Sequence, residues 1–269
     1  MESDRRTSPA FERYVALGDS LSIDLYPARD AHPAGTAAEP AELEPGLGAA
    51  ALLFRNDDRR WPEFAGRDLV AANPAIRFRN AHVLDHPAAH PTDHYATNGA
   101  TTVGVLAYQL HRVPASAERT LVTVTAGRSD VLQMLGAPKP PPTMVEGMAA
   151  RLERLVRTAR AKLPNAVLLL TSVPDPSDGT GRLDDDTPFE REAAWLADFN
   201  AALRQLADPA AGVVVADAAA HFAGHGLAAP PDERWFWHGR VVELNARGAS
   251  ELRRVWWETL NDESVGRSA

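Results

Sequence analysis

The run Tyr14-Val-Ala-Leu-Gly-Asp-Ser-Leu-Ser22 sets the architecture. Its first four residues are apolar and the run stops at Gly18. A short apolar stretch bounded by glycine reads as a strand buried on both faces. Gly18-Asp19-Ser20-Leu21-Ser22 is then turn chemistry at the strand's carboxyl end. Such a turn brings a hydroxyl and backbone N–H groups to the opening of a helix, which suits a nucleophile and the holding of an oxyanion. Taken alone, the same five residues also read as a helix cap, the commoner use of a Ser in such a turn.

Working outward, further strands are expected at Ile76–Val83, Leu121–Thr125, Ala166–Leu170 and Val213–Ala216. Between them, Met144, Met148, Leu152, Leu155, Val156, Ala159 and Leu163 share one helical face, and Pro164 ends that helix. Phe189, Ala193, Leu196, Phe199, Leu203 and Leu206 repeat the pattern, and Leu252, Val255, Trp256 and Leu260 give a last helix. Strands alternating with helices predict a parallel sheet built from βαβ units. Ligands then sit beyond the strands' carboxyl ends, on the loops after Leu17, Val83, Thr125, Leu170 and Ala216. A single α/β domain is expected over residues 13–260, with flexible, polar ends at 1–12 and 261–269. Ala28–Gly48 and Ala137–Pro142 read as a surface loop and a stiff connector.

Three more of these loops carry polar blocks. One is Ala96-Thr97-Asn98-Gly99-Ala100-Thr101-Thr102, the second is Thr125-Ala126-Gly127-Arg128-Ser129-Asp130, and the third is Glu243-Leu244-Asn245-Ala246-Arg247-Gly248-Ala249 before the last helix. With the Gly-Asp-Ser turn in front, the order of the four blocks resembles the SGNH (GDSL) hydrolase superfamily from Arg13 to about Leu260. The resemblance implies a three-layer α/β/α sandwich with a parallel sheet of about five strands. It also implies esterase, lipase, deacetylase or acyltransferase chemistry without a metal or other cofactor.

By position, the resemblance makes Ser20 the nucleophile and the backbone N–H groups of Ser20 and Gly99 two oxyanion donors. The slot of the third donor, an Asn side chain in the family, holds Ser129. The slot of the catalytic His holds Glu243, and the Asp slot three residues earlier holds Arg240. Asp19, Asp130 and Arg240 are the expected supporting residues. His238, five residues before Glu243, is an alternative base if the loop is shifted. A Glu, with an ordinary pKa of about 4.3, is a weaker base than a His at about 6.5. Burial would strengthen it, and a neighbouring cation such as Arg240 would weaken it. The expected function is an esterase-type serine hydrolase acting on a small-molecule ester. An acyltransferase on the same site and a catalytically silent binding protein of the same fold are the alternatives.

Composition removes other classes. Among 269 residues there is no Cys, so no thiolate nucleophile, disulfide or Cys-bound zinc. The formal charge of −8 argues against nucleic acid as a partner. Lys139 and Lys162 are the only lysines, hence the only candidates for a Schiff base. No run of about 18 apolar residues predicts a membrane span, the first residues lack the apolar core of a signal peptide, and a cytoplasmic location is expected.

Other motifs read as structural. His82, His86, His90 and His94 recur every four residues, but Pro87 and Pro91 break the helix that would align them, so a polar loop is expected and not a metal site. His221 and His225 read as surface or supporting groups, and Asp184–Asp186 as a solvated cap. Asn56–Arg60 reads as a charge cluster or part of a lid. Trp235-Phe-Trp237 is either a packed loop or an aromatic wall for substrate. No nucleotide-binding glycine motif is present.

Overall fold

The computed structural model describes residues 10–23, 47–80, 99–137 and 143–262. Five parallel strands form one sheet: β1 (Arg13–Gly18), β2 (Arg77–Asn80), β3 (Thr120–Thr125), β4 (Ala166–Thr171) and β5 (Val213–Ala216). Their order is β2-β1-β3-β4-β5, with Tyr14 opposite Leu121, Leu121 opposite Val167, and Leu168 opposite Val213. The helices used below are α1 (Ala49–Phe54), α2 (Arg128–Leu132), α3 (Met144–Lys162), α4 (Glu190–Arg204) and α5 (Ala246–Leu260).

Alternate strand residues feed two separate cores, as the two-residue period of a strand requires. Val15, Leu17, Val122, Val124, Leu168 and Leu170 pack with α3 and α4. Tyr14, Ala16, Leu121, Val167, Leu169 and Val214 pack with α1 and α5. Burial on both faces explains why the strands read as nearly unbroken apolar runs. The result is the three-layer α/β/α arrangement that the sequence predicts.

The expected strands at 14–17, 121–125, 166–170 and 213–216 are all found. The strand expected over 76–83 is observed as Arg77–Asn80, and residues 81–83 lie outside the described residues. The last helix starts earlier than its apolar residues suggest. Asn245 accepts from the Gly248 N–H at 2.8 Å and caps it, while its amide donates to the Arg234 carbonyl at 2.7 Å. Gly248 is needed for a close approach: a Cβ there would lie 2.0 Å from the Trp235 carbonyl oxygen.

Several expectations fall outside the described residues: the end of the chain at 263–269, residues 1–9, most of the Ala28–Gly48 and Ala137–Pro142 stretches, residues 96–98 of the Gly99 block, Lys139 and the His82–His94 run. Of the lysines, Lys162 donates to the carbonyls of Leu110, His111 and Val113 at 3.0, 2.8 and 2.8 Å. It ties the end of α3 to the end of the helical run that spans Thr102–Gly104, Val105–Gln109 and Leu110–Arg112.

Candidate active site

The order of the sheet puts β2 on one side of β1 and β3 on the other. The chain therefore changes direction between β1 and β3, and a crevice at their carboxyl ends is where α/β sheets take ligands. Gly18-Asp19-Ser20 leaves β1 here and Ala126-Gly127-Arg128 leaves β3.

The turn after β1 is held tightly. Gly18 has φ +141°, and a Cβ on it would lie 2.1 Å from the Thr125 carbonyl oxygen, so only glycine fits. The Gln109 carboxamide accepts from the Gly18 N–H and donates to the Gly18 carbonyl, both at 2.8 Å. A buried amide thus satisfies both backbone groups at the point where the strand ends. Asp19 donates its own N–H to the Thr125 carbonyl at 3.0 Å, and its carboxylate accepts from the Leu21 N–H at 3.1 Å. That cap starts the single turn Ser20–Ser22 and fixes the Ser20 backbone.

Arg128 organises the rest. Its Nη2 donates both to the Ser20 hydroxyl oxygen and, at 3.2 Å, to Glu243 Oε2. Its Nη1 donates to the Val242 carbonyl, and its Nε lies 3.4 Å from Asp19 Oδ2. The guanidinium is 3% exposed, and the Asp19 and Glu243 side chains are 0% and 4% exposed. Burial disfavours the Arg128 cation, but the charges of Glu243 and Asp19 outweigh it and raise its pKa. Burial also pushes the Asp19 carboxyl up, and Arg128 pulls part of that back. Ser129 contributes a hydroxyl 3.5 Å from the same Asp19 oxygen.

Glu243 reaches the cluster on a short loop closed by its own backbone. Its carbonyl accepts from the Trp237 N–H at 2.7 Å and its N–H donates to the Arg240 carbonyl at 2.8 Å. Behind the loop, Trp235 and Phe236 are buried in the core with Phe222, so they pack the loop and do not form an open wall.

Asp130 fixes the Gly99 loop from α2. Its carboxylate accepts from the Thr102 N–H and hydroxyl, both at 2.7 Å, and from Arg151 at 3.3 Å. Gly99 has φ +81°, a left-handed conformation that suits glycine.

Arg128 thus joins the expected residues Ser20, Asp19 and Glu243, and Ser129 reaches them through Asp19. Among the described residues the Glu243 carboxylate bonds Arg128 and not Ser20. Arg240, expected as the cation beside Glu243, is exposed, and the buried cation on Glu243 is Arg128. His238 is exposed, with its ring against Trp237 at 6.1 Å. Arg128 lies in the Gly127–Asp130 block and carried no expected role there. The available signal was its setting: a cation directly after a buried strand has to find carboxylates.

Other polar residues singled out in the sequence are bonded within the fold. Asn56 is committed to Asp58, Trp61, Asp68 and the buried Arg253. His221 bonds Glu251 at 3.0 Å, and His225 stacks on Trp235 at 3.6 Å between ring centres. Among the described residues no three or more acidic, His or Cys side chains group as metal ligands, and no helix is long and apolar enough to cross a membrane.

A model described as the GDSL-like Lipase/Acylhydrolase family matches residues 16–249. Comparison with curated proteins returns no match. Among solved structures, an extracellular lipase from Streptomyces rimosus is 20% identical with a TM-score of 0.59, covering 92% of this chain and 99% of its own. A phospholipase A1 from Streptomyces albidoflavus NA297 is 21% identical with a TM-score of 0.54, over 93% and 100% of the two chains. An acetylxylan esterase from Geobacillus stearothermophilus is 15% identical with a TM-score of 0.54, over 97% and 99%. At these identities the likeness is one of fold.

Proposed function

The chain belongs to the GDSL-like lipase/acylhydrolase family, and from that premise we propose that it hydrolyses a small-molecule ester through an acyl-enzyme on Ser20, with Glu243 as proton acceptor. One observation carries this reading: a single guanidinium nitrogen, Arg128 Nη2, bonds both the Ser20 hydroxyl and the Glu243 carboxylate. Arginine donates and cannot accept a proton. Glu243 is thus the acceptor that the same contact brings beside Ser20.

In this reaction Ser20 Oγ forms a bond to the ester carbonyl carbon. The carbonyl π pair moves onto oxygen and the hydroxyl proton passes to Glu243. Collapse of the tetrahedral intermediate breaks the bond to the alcohol oxygen, which takes that proton. Water then repeats the sequence against the acyl-enzyme, with Glu243 again as acceptor, and releases the acid. That the proteins similar in fold include a lipase, a phospholipase A1 and an acetylxylan esterase supports an ester as the substrate class.

The test is turnover of a series of nitrophenyl esters of increasing acyl length by the wild-type chain and by Ser20→Ala. Hydrolysis that disappears in Ser20→Ala supports the reading, and hydrolysis that survives the change overturns it. A second reading has its own observation: the resting partner of the Ser20 hydroxyl is a cation, as suits a silent acyl-binding protein. That reading requires no turnover in either chain, with acyl ligands still raising the melting temperature.

A further inference from the structure

We propose that Arg128 is itself a catalytic residue, the charged donor that receives the oxyanion, and that negative charge passes from Glu243 to the substrate across its Nη2. The proposal rests on the ester-hydrolase reading and goes beyond it by assigning a group that the position of Ser129 was expected to supply.

The geometry comes first. Nη2 donates to Ser20 Oγ, the atom that attacks. In the tetrahedral intermediate, the oxyanion and Oγ are bonded to the same carbon. A donor already within reach of Oγ is within reach of the oxyanion, and its N–H can be shared between the two oxygens without the guanidinium moving. Ser129 is less well placed, because its hydroxyl is aimed at Asp19 at 3.5 Å.

The donor is also fixed before the reaction. Nε faces Asp19, Nη1 donates to the Val242 carbonyl, and Nη2 bonds Glu243. A guanidinium carries five N–H donors, and these contacts hold its plane from three sides while one Nη1 hydrogen has no acceptor among the described residues. Little reorganisation is left to do at the moment of attack, and at 3% exposure water does not screen the charge.

The charge count then gives the reason for an arginine here. Before attack, Nη2 faces the Glu243 carboxylate and a neutral hydroxyl. After attack, Glu243 holds the Ser20 proton and is neutral, and the new negative charge is on the substrate oxygen beside the same nitrogen. The net charge of the buried cluster does not change during the step. Relocating one charge across a fixed cation avoids creating a new charge in a dry pocket, which is the expensive event. A neutral donor at this position would leave the moving negative charge without a counter-charge in the buried pocket both before and after the step.

Arg128→Lys keeps the charge but replaces the fork with a point charge. It is predicted to lower kcat about 10²-fold with KM within about threefold, in the range for loss of an oxyanion donor. Arg128→Gly is predicted to lose at least as much and to regain kcat, by about tenfold or more, on addition of methylguanidinium. An alkyl boronic acid, which adds to Ser20 as a tetrahedral anion, should bind Arg128→Lys about 10²-fold more weakly than wild type. The carboxylic acid product should change far less. Melting temperatures identify any variant that has failed to fold, and the rescue of Arg128→Gly and the boronate affinity of Arg128→Lys then decide.

Wild-type kcat or higher in Arg128→Lys, or unchanged boronate affinity, overturns the assignment and makes Arg128 a lock on Ser20. Turnover in wild type that does not depend on Ser20 overturns the parent reading instead, and this one with it.

Discussion

Ser20 and Glu243 share one donor: Nη2 of Arg128 bonds the hydroxyl of the first and, at 3.2 Å, the carboxylate of the second. The residue expected to act and the residue standing where a histidine was expected are thus coupled through a buried cation. The consequences are measurable.

Glu243→Gln removes the acceptor while keeping the shape of the side chain and a bond to Arg128. General-base assistance contributes roughly 10²–10⁴ in rate, so kcat is expected to fall about 10²-fold or more. His238→Gln is expected to leave kcat within about twofold, since the ring is exposed and against Trp237. Steady-state kinetics on both variants checks this, and the reverse ranking would make His238 the base.

Asp19 gives a stability prediction with a definite sign. Burial raises its pKa despite the attraction of Arg128. A folded pKa above the unfolded value of about 3.9 means that ionisation costs stability once the pH passes that value, and the cost persists at neutral pH. Asp19→Asn keeps an acceptor for the Leu21 N–H and removes the charge. The variant is expected to melt higher than wild type near about pH 8, with the difference vanishing toward about pH 3. A lower melting temperature at neutral pH would contradict it.

Glu251 has the opposite sign. Burial works against its carboxylate, but hydrogen bonds from His221 and Arg254 outweigh burial and bring its pKa to about 2. Its stabilisation is complete above the unfolded value, near 4.5, and is lost as the pH falls from there through about 2. Thermal melts across that window should show a steeper acid loss for wild type than for Glu251→Gln. Parallel curves would show that the pair contributes nothing.

Gln109→Leu tests the clamp on the turn. It leaves the buried Gly18 N–H and carbonyl without their 2.8 Å partners. Each unpaired buried group costs about 1–3 kcal/mol. A protein of this size loses about 2–4 °C per kcal/mol, so a fall of several degrees or more is expected by calorimetry. Because the clamp ends one residue before Asp19, kcat should fall as well.

The fold was legible because its signal is local. Ala166–Leu170 is apolar at every position, and Leu121–Thr125 interrupts its Leu and Val residues only with Thr, a composition that suits a doubly covered strand. The Gly18-Asp19-Ser20 turn was legible for a similar reason, since a positive φ and an Asp cap leave their residue types in the sequence. The Ser20–Arg128–Glu243 contact was not. It joins loops from three distant parts of the chain, and neither hydrophobic period nor spacing encodes which buried cation meets which carboxylate. Gln109 was missed likewise. Its carboxamide acts on Gly18 from a helical run, and one polar residue in such a run has no pattern to mark it.

The most direct measurement of the central claim is the rate and site of covalent labelling by an alkyl fluorophosphonate, read by intact mass and peptide mapping on wild type, Ser20→Ala and Glu243→Gln. The account predicts a single phosphonyl adduct on Ser20, none in Ser20→Ala, and labelling of Glu243→Gln slower by about 10²-fold, as loss of a general base requires. An unlabelled wild-type chain, or an adduct on another residue, would contradict it.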